Sequence, residues 1–106
     1  MASDLTPAQV AARLRSDEPP VLVDVREDWE RDRAAISGAI AVPMGELPER
    51  LDELPDDRDL VFFCHHGSRS AQVVAWLQRQ GVQRVANLSG GIDRWSTDVD
   101  PSIPAY

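Results

Sequence analysis

The chain has 106 residues and a net charge of -7, with 42% apolar and 27% charged residues. That is the composition of a soluble globular domain rather than a disordered chain, and the acidic balance argues against non-specific binding to nucleic acid or to an anionic membrane surface. All 11 basic residues are Arg, and Cys64 is the one cysteine, which excludes an intramolecular disulfide and a Cys-rich metal site.

From the N-terminus, the stretch to Leu14 has no long apolar run, so no secretory signal is expected. No stretch approaches the ~18 apolar residues of a membrane span. The expected location is the cytoplasm, where a thiol stays reduced. Thr6-Pro7 predicts a helix start, with an N-cap followed by proline at the first helical position. Val10 and Leu14 then share a face of a helix ending near Ser16. Pro19-Pro20 break the chain, and Val21-Leu22-Val23, ending in Asp24, reads as a buried strand. Glu27 to Arg33 reads as a charged helical turn with Trp29 as its apolar contact. Ala39 to Val42 is a second strand closed by Pro43, and Glu46 to Leu54 a short helix presenting Leu47, Leu51 and Leu54.

Leu60-Val61-Phe62-Phe63 is the clearest buried strand, and it runs straight into Cys64. Ser70 to Gln80 follows as a helix with Val73, Val74 and Leu77 inward, ended by Gly81 at positive φ. Arg84 to Leu88 is another strand. Gly90-Gly91 makes a tight turn into a last short helix carrying Ile92 and Trp95, and the tail from Asp98 to Tyr106 packs as irregular chain. Alternating helices and strands predict a mainly parallel sheet with helices on both faces, and sites in such sheets form at the carboxyl ends of the strands.

Cys64 stands at such an end. His65-His66-Gly67-Ser68-Arg69-Ser70 after it reads as a tight loop opening a helix. Loop amides and the positive end of the helix favour an anion. Arg69 adds a cation with a planar donor fork, Gly67 supplies the positive φ that inward-facing amides need, and Ser68 and Ser70 are placed to bond loop amides or cap the helix. Both effects are expected to lower the thiol pKa from its usual ~8.5. The chemistry is then nucleophilic attack by a thiolate within an anion cradle.

The segment Cys64 to Ser70 resembles the active-site loop of the rhodanese family. Val23-Asp24-Val25-Arg26-Glu27 with Trp29-Glu30, Ile36 to Pro43, and Asn87 to Trp95 are similar to the family's other signatures, in the family's order and over nearly the whole chain. The resemblance implies an α/β, three-layer rhodanese-like fold in one domain spanning 1-106, its central sheet mainly parallel with about five strands. It implies that Cys64 is a persulfide-forming nucleophile, that His65, His66, Gly67, Ser68 and Arg69 cradle substrate with Ser70 beside them, and that Asp24 and Arg26 are structural supports. It implies transfer of a sulfane sulfur from a small anionic donor such as thiosulfate to cyanide or a thiol, with no cofactor and no metal. Ala34-Ala35 stand where the family commonly has Gly-His, and Ser37 where it often has proline.

Phosphatases that resemble rhodaneses carry a loop one residue longer than the stretch from His65 to Ser68 between Cys64 and Arg69, so sulfur chemistry is favoured here. The tail from Trp95 to Tyr106 is similar to that of rhodanese domains fused to sulfur-carrier-activating enzymes, which makes a relay fed by a partner protein an alternative, with a sulfur-carrier protein as client. A non-catalytic binding domain is the other, and the presence of Cys64 argues against it. A metal held by His65 and His66 is not expected, because adjacent side chains rarely converge on one ion; the two imidazoles are expected to line the pocket rim. Asp24 and Glu27 are assigned structural rather than acid-base roles, and Arg26 a buried ion pair.

Overall fold

The computed structural model describes residues 2-106. In chain order the elements are β1 (Asp4–Leu5), α1 (Pro7–Leu14), β2 (Val21–Asp24), α2 (Asp28–Arg33), β3 (Ile40–Ala41), two 3-10 turns (Met44–Glu49 and Leu51–Glu53), β4 (Leu60–Phe63), α3 (Ser68–Arg79), β5 (Val85–Leu88) and α4 (Gly91–Asp98). The five strands form one sheet in the order β1-β5-β4-β2-β3, with every neighbouring pair parallel. This is the expected α/β sheet. Among the described residues no helix is long and apolar enough to cross a membrane.

The pleat sorts the core. Successive strand residues face opposite sides, so Val61 and Phe63 of β4 join Leu5, Val10, Leu22, Leu88, Ile92 and Trp95 on the side of α1 and α4. Leu60, Phe62 and Cys64 join Val23, Val73, Val74, Leu77 and Val85 on the side of α3. The thiol is therefore delivered to the α3 face by the parity of its own strand.

Local chemistry explains the element boundaries. Thr6 caps α1 through a reciprocal pair of bonds with Gln9, and Pro7 follows it. The segment expected as a helix from Glu46 to Leu54 forms two 3-10 turns instead. Pro48 sits inside the first, where it lacks the N–H that an α-helical ladder requires. β1 was not expected; two residues carry no periodicity, and its pairing with β5 comes from tertiary packing. Trp29, expected as an apolar contact, is 57% exposed.

α4 does more than cover the sheet. Its first amides reach back across the molecule: Ile92 N–H donates to Cys64 O at 2.9 Å, and Asp93 N–H to His65 O at 3.0 Å. Gly91 makes this approach possible. At φ +63° a Cβ on it would lie 2.4 Å from His65 O and 2.5 Å from Cys64 O. Gly91→Ala is therefore expected to cost more than about 3 kcal/mol by urea denaturation. Gly81→Ala, also at positive φ but with open space around it, is expected to cost about 1–2 kcal/mol. Equal costs for the two variants would refute the close approach of α4 to the loop.

Candidate active site

The site is built at the carboxyl end of β4. Cys64 is 1% exposed. The Cys64 and His65 carbonyls are drawn toward α4, and because carbonyl and following amide point opposite ways in a trans peptide, the N–H groups of His65 and His66 turn away from α4. Gly67 follows at φ +101°, a conformation glycine adopts without steric cost. There its N–H donates to Cys64 Sγ at 3.1 Å. α3 begins at once, with Gly67 itself as N-cap. Ser68 and Ser70 do not cap it: Ser68 is exposed, and Ser70 is buried with Oγ 3.4 Å from the sulfur.

Burial pushes the Cys64 thiol up. The Ser70 hydroxyl, with the amides of Ser70, Gly67 and Arg69, outweighs it and holds the thiol below its ordinary range. The expected depression is present, but hydrogen bonds account for most of it rather than an unpaired Arg69.

Arg69 is already engaged. Its Nη1 and Nη2 donate to the two oxygens of Glu30 at 2.8 and 2.7 Å, a bidentate pair. The pairing raises the Arg69 pKa. Glu30 is 3% exposed and also accepts from the Glu27 amide at 3.0 Å and the Tyr106 hydroxyl at 2.9 Å. The Arg69 guanidinium first, with these two donors adding to it against the effect of burial, lowers Glu30 to about 2.

Behind this pair lies Arg26, fully buried. Its Nε and Nη2 donate to Asp24 at 2.9 and 2.8 Å, Nη2 also to Ala34 O at 2.7 Å, and Nη1 to the Tyr106 oxygen at 2.9 Å. Asp24 and Arg26 thus form a buried ion pair. The acceptor at Ala34 is a backbone carbonyl, which the departure from Gly-His at Ala34-Ala35 leaves in place.

His65 stacks on Tyr106, with centroids 3.8 Å apart, and on His66, 3.9 Å apart. Burial and then the neighbouring His66 push the His65 pKa down. Both imidazoles border the loop, His65 half-buried and His66 exposed. With Asp93 they place ligand-type atoms within 4.8 Å of one another. Imidazole coordinates in its ring plane, and rings stacked at 25° aim their lone pairs side by side rather than at one point.

Three residues that shape the site were not singled out from sequence. Glu30 falls in the stretch that resembles a family signature, but nothing in its charged run assigns it a role. Tyr106 ends an irregular tail. Asn87 opens another resembling stretch, and its local signal is an amide within an otherwise apolar strand.

The sequence profile of the rhodanese-like domain matches residues 6-98. The chain belongs to the rhodanese-like domain family. A sulfurtransferase of Allochromatium vinosum is 40% identical to this rhodanese-like chain over 96 residues, covering 91% of it and 90% of the relative. The human single-domain sulfurtransferase matches in structure with a TM-score of 0.81 at 26% identity, over 92% of this chain and 98% of the other. An adenylyltransferase and sulfurtransferase of Zea mays is 32% identical over 84% of this chain, which spans 20% of that relative.

Two outcomes check this geometry. Plotted against pH, the rate of Cys64 alkylation is expected to have its midpoint below the ~8.5 of a free thiol; a midpoint at or above that value contradicts the cradle. For Glu30, the folded pKa near 2 lies below the ordinary 4.5, so its stabilisation is present above pH 4.5 and is lost as pH falls toward 2. Glu30→Gln is expected to be less stable than wild type by up to about 3 kcal/mol near neutral pH. The gap should close through that acid window in urea melts.

Proposed function

We propose that the protein is a sulfurtransferase that carries a sulfane sulfur on Cys64. The observation that carries this reading is the convergence of hydrogen-bond donors on a buried sulfur at the end of β4, with Gly67 N–H 3.1 Å from Cys64 Sγ. The names of the full-length relatives support the class of reaction.

The proposed cycle is a double displacement. Cys64 thiolate attacks the outer sulfur of a small anionic donor such as thiosulfate. A bond forms between the two sulfurs, the donor's S–S bond breaks, and sulfite leaves with the electron pair. A thiol or cyanide then attacks the outer sulfur of the persulfide, and Cys64 departs as thiolate. Electrons balance without an external oxidant or reductant. Loop amides stabilise negative charge on the transferring sulfur, and His65, His66, Gly67 and Ser68 border the space it occupies. Arg69, shared with Glu30, orients the start of α3 and presents its remaining N–H groups to an anionic donor.

A second reading is favoured by the relative in which a chain of this length is one part of an adenylyltransferase and sulfurtransferase. On this reading the donor to Cys64 would be a protein persulfide and the client a sulfur-carrier protein. Cys64, 1% exposed, would be loaded by a partner docking over the loop.

The deciding experiment is intact-protein mass after incubation of the reduced chain with thiosulfate. Wild type is expected to gain about 32 Da, to lose it on addition of cyanide, and to do neither as Cys64→Ala. No gain on a protein whose Cys64 still alkylates rejects thiosulfate as donor and moves the reading to the protein-fed relay.

A further inference from the structure

The hydroxyl of Ser70 has a single proton and three acceptors around it. Asn87 Oδ1 lies at 2.5 Å, Gly67 O at 3.3 Å and Cys64 Sγ at 3.4 Å. Asn87 is buried in β5, and the pleat turns it, with Val85, toward α3. Its amide is held one way round: Nδ2 donates to Asp4 Oδ1 at 3.0 Å and to Gly67 O at 3.3 Å. The amide oxygen therefore faces Ser70. A hydroxyl proton goes to its nearest strong acceptor, so while Cys64 is a thiol, Ser70 donates to Asn87. Once the sulfur is ionised, a bond to it becomes charge-assisted, and the same proton is wanted in two places.

We propose that Asn87 is a positioning residue that tunes Cys64 by competing with the thiolate for the one proton of Ser70. Asp4, on the edge strand β1, strengthens the competitor: a carboxylate accepting from Nδ2 polarises the amide and makes Oδ1 a better acceptor. The chain Asp4–Asn87–Ser70–Cys64 runs across β1, β5 and α3 to the end of β4. It deepens the role proposed above for Cys64, and its readout is ionisation of the thiol, which is measured without any sulfur donor.

The charged and titratable groups around the thiol come from every neighbouring element. They are Arg69 on α3 with Glu30 of α2 behind it, the Asp24–Arg26 pair at the end of β2, His65 and His66 in the loop, Asp93 on α4, Tyr106 in the tail and Asp4 on β1. All except Asp4 are unchanged in the variants that test the competition.

The test is the pH profile of Cys64 alkylation by iodoacetamide in the full chain. In Asn87→Ala the Ser70 proton passes to the sulfur, and alkylation below the midpoint is expected to run about threefold faster than in wild type. Ser70→Ala is expected to move the profile the other way, toward higher pH. In the double variant the loss of Asn87 is expected to change nothing further. Asp4→Ala, at an exposed position, is expected to shift the profile in the direction of Asn87→Ala by a smaller amount, again only while Ser70 is present, and it serves where loss of the buried amide prevents folding. No shift in either variant, a shift of Asn87→Ala to higher pH, or a shift that persists without Ser70 overturns the competition. Failure of thiosulfate to load the protein, alongside the expected shifts, counts against the donor chemistry and leaves the role of Asn87 standing.

Discussion

A guanidinium with no access to water has to find partners for its N–H groups, and Arg26 meets that demand by drawing three parts of the chain to one point. Asp24 comes from the end of β2, the Ala34 carbonyl from the end of α2, Tyr106 from the tail, and the Arg26 backbone amide itself returns to Asp24. An unmatched buried charge is costly by several kcal/mol, so these segments are located far more tightly than their own short hydrogen-bond ladders would locate them. Burial works against the charge on Arg26, and its bonds to Asp24 and Tyr106 more than restore it. No buried side-chain N or O atom is left without a partner among the described residues.

From that point the order passes outward. Tyr106 links Arg26 to Glu30, Glu30 grips Arg69, and Arg69 stands in the first turn of α3 beside the sulfur. On the opposite side α4 pulls the loop carbonyls away. The loop is held between an ion-pair network and a helix end, and its amides have one direction left to face. Charge on Arg69 is largely balanced by Glu30, so in the proposed chemistry the attraction for an anion rests on oriented backbone dipoles as much as on a side-chain cation. Such dipoles are fixed before any substrate arrives and need no reorganisation as charge moves onto sulfur.

How much of this is legible in the sequence depends on the range of the interaction involved. Leu60 to Phe63 is an apolar run bounded by polar residues, and counting by twos along it places Cys64 opposite Val61 and beneath α3. Gly67 and the start of a helix after it are local matters, and they are as expected. Pro48 is local too, yet its effect on the Met44–Glu49 segment is outvoted in a reading by leucine spacing alone. Glu30 is different. Asp28 to Arg33 is charged at five of its six positions, and only the path of α3 decides which acid meets Arg69. Tyr106 depends on where the tail travels after Ile103 enters the core, and β1 on the existence of β5. Each of these is set by contacts between residues far apart in the chain, which no periodicity encodes.

The two outer strands of the sheet, Asp4–Leu5 and Ile40–Ala41, are two residues each. A sheet margin that short offers almost no row of free peptide groups on which another chain could extend the ladder. Self-association by strand addition is thereby discouraged at both flanks, even though the interior strands are as apolar as those of aggregation-prone segments. At the loop-bearing end, by contrast, aromatic rings rather than peptide groups form the margin: Trp29 meets Tyr106 edge-on, Tyr106 stacks on His65, and His65 on His66.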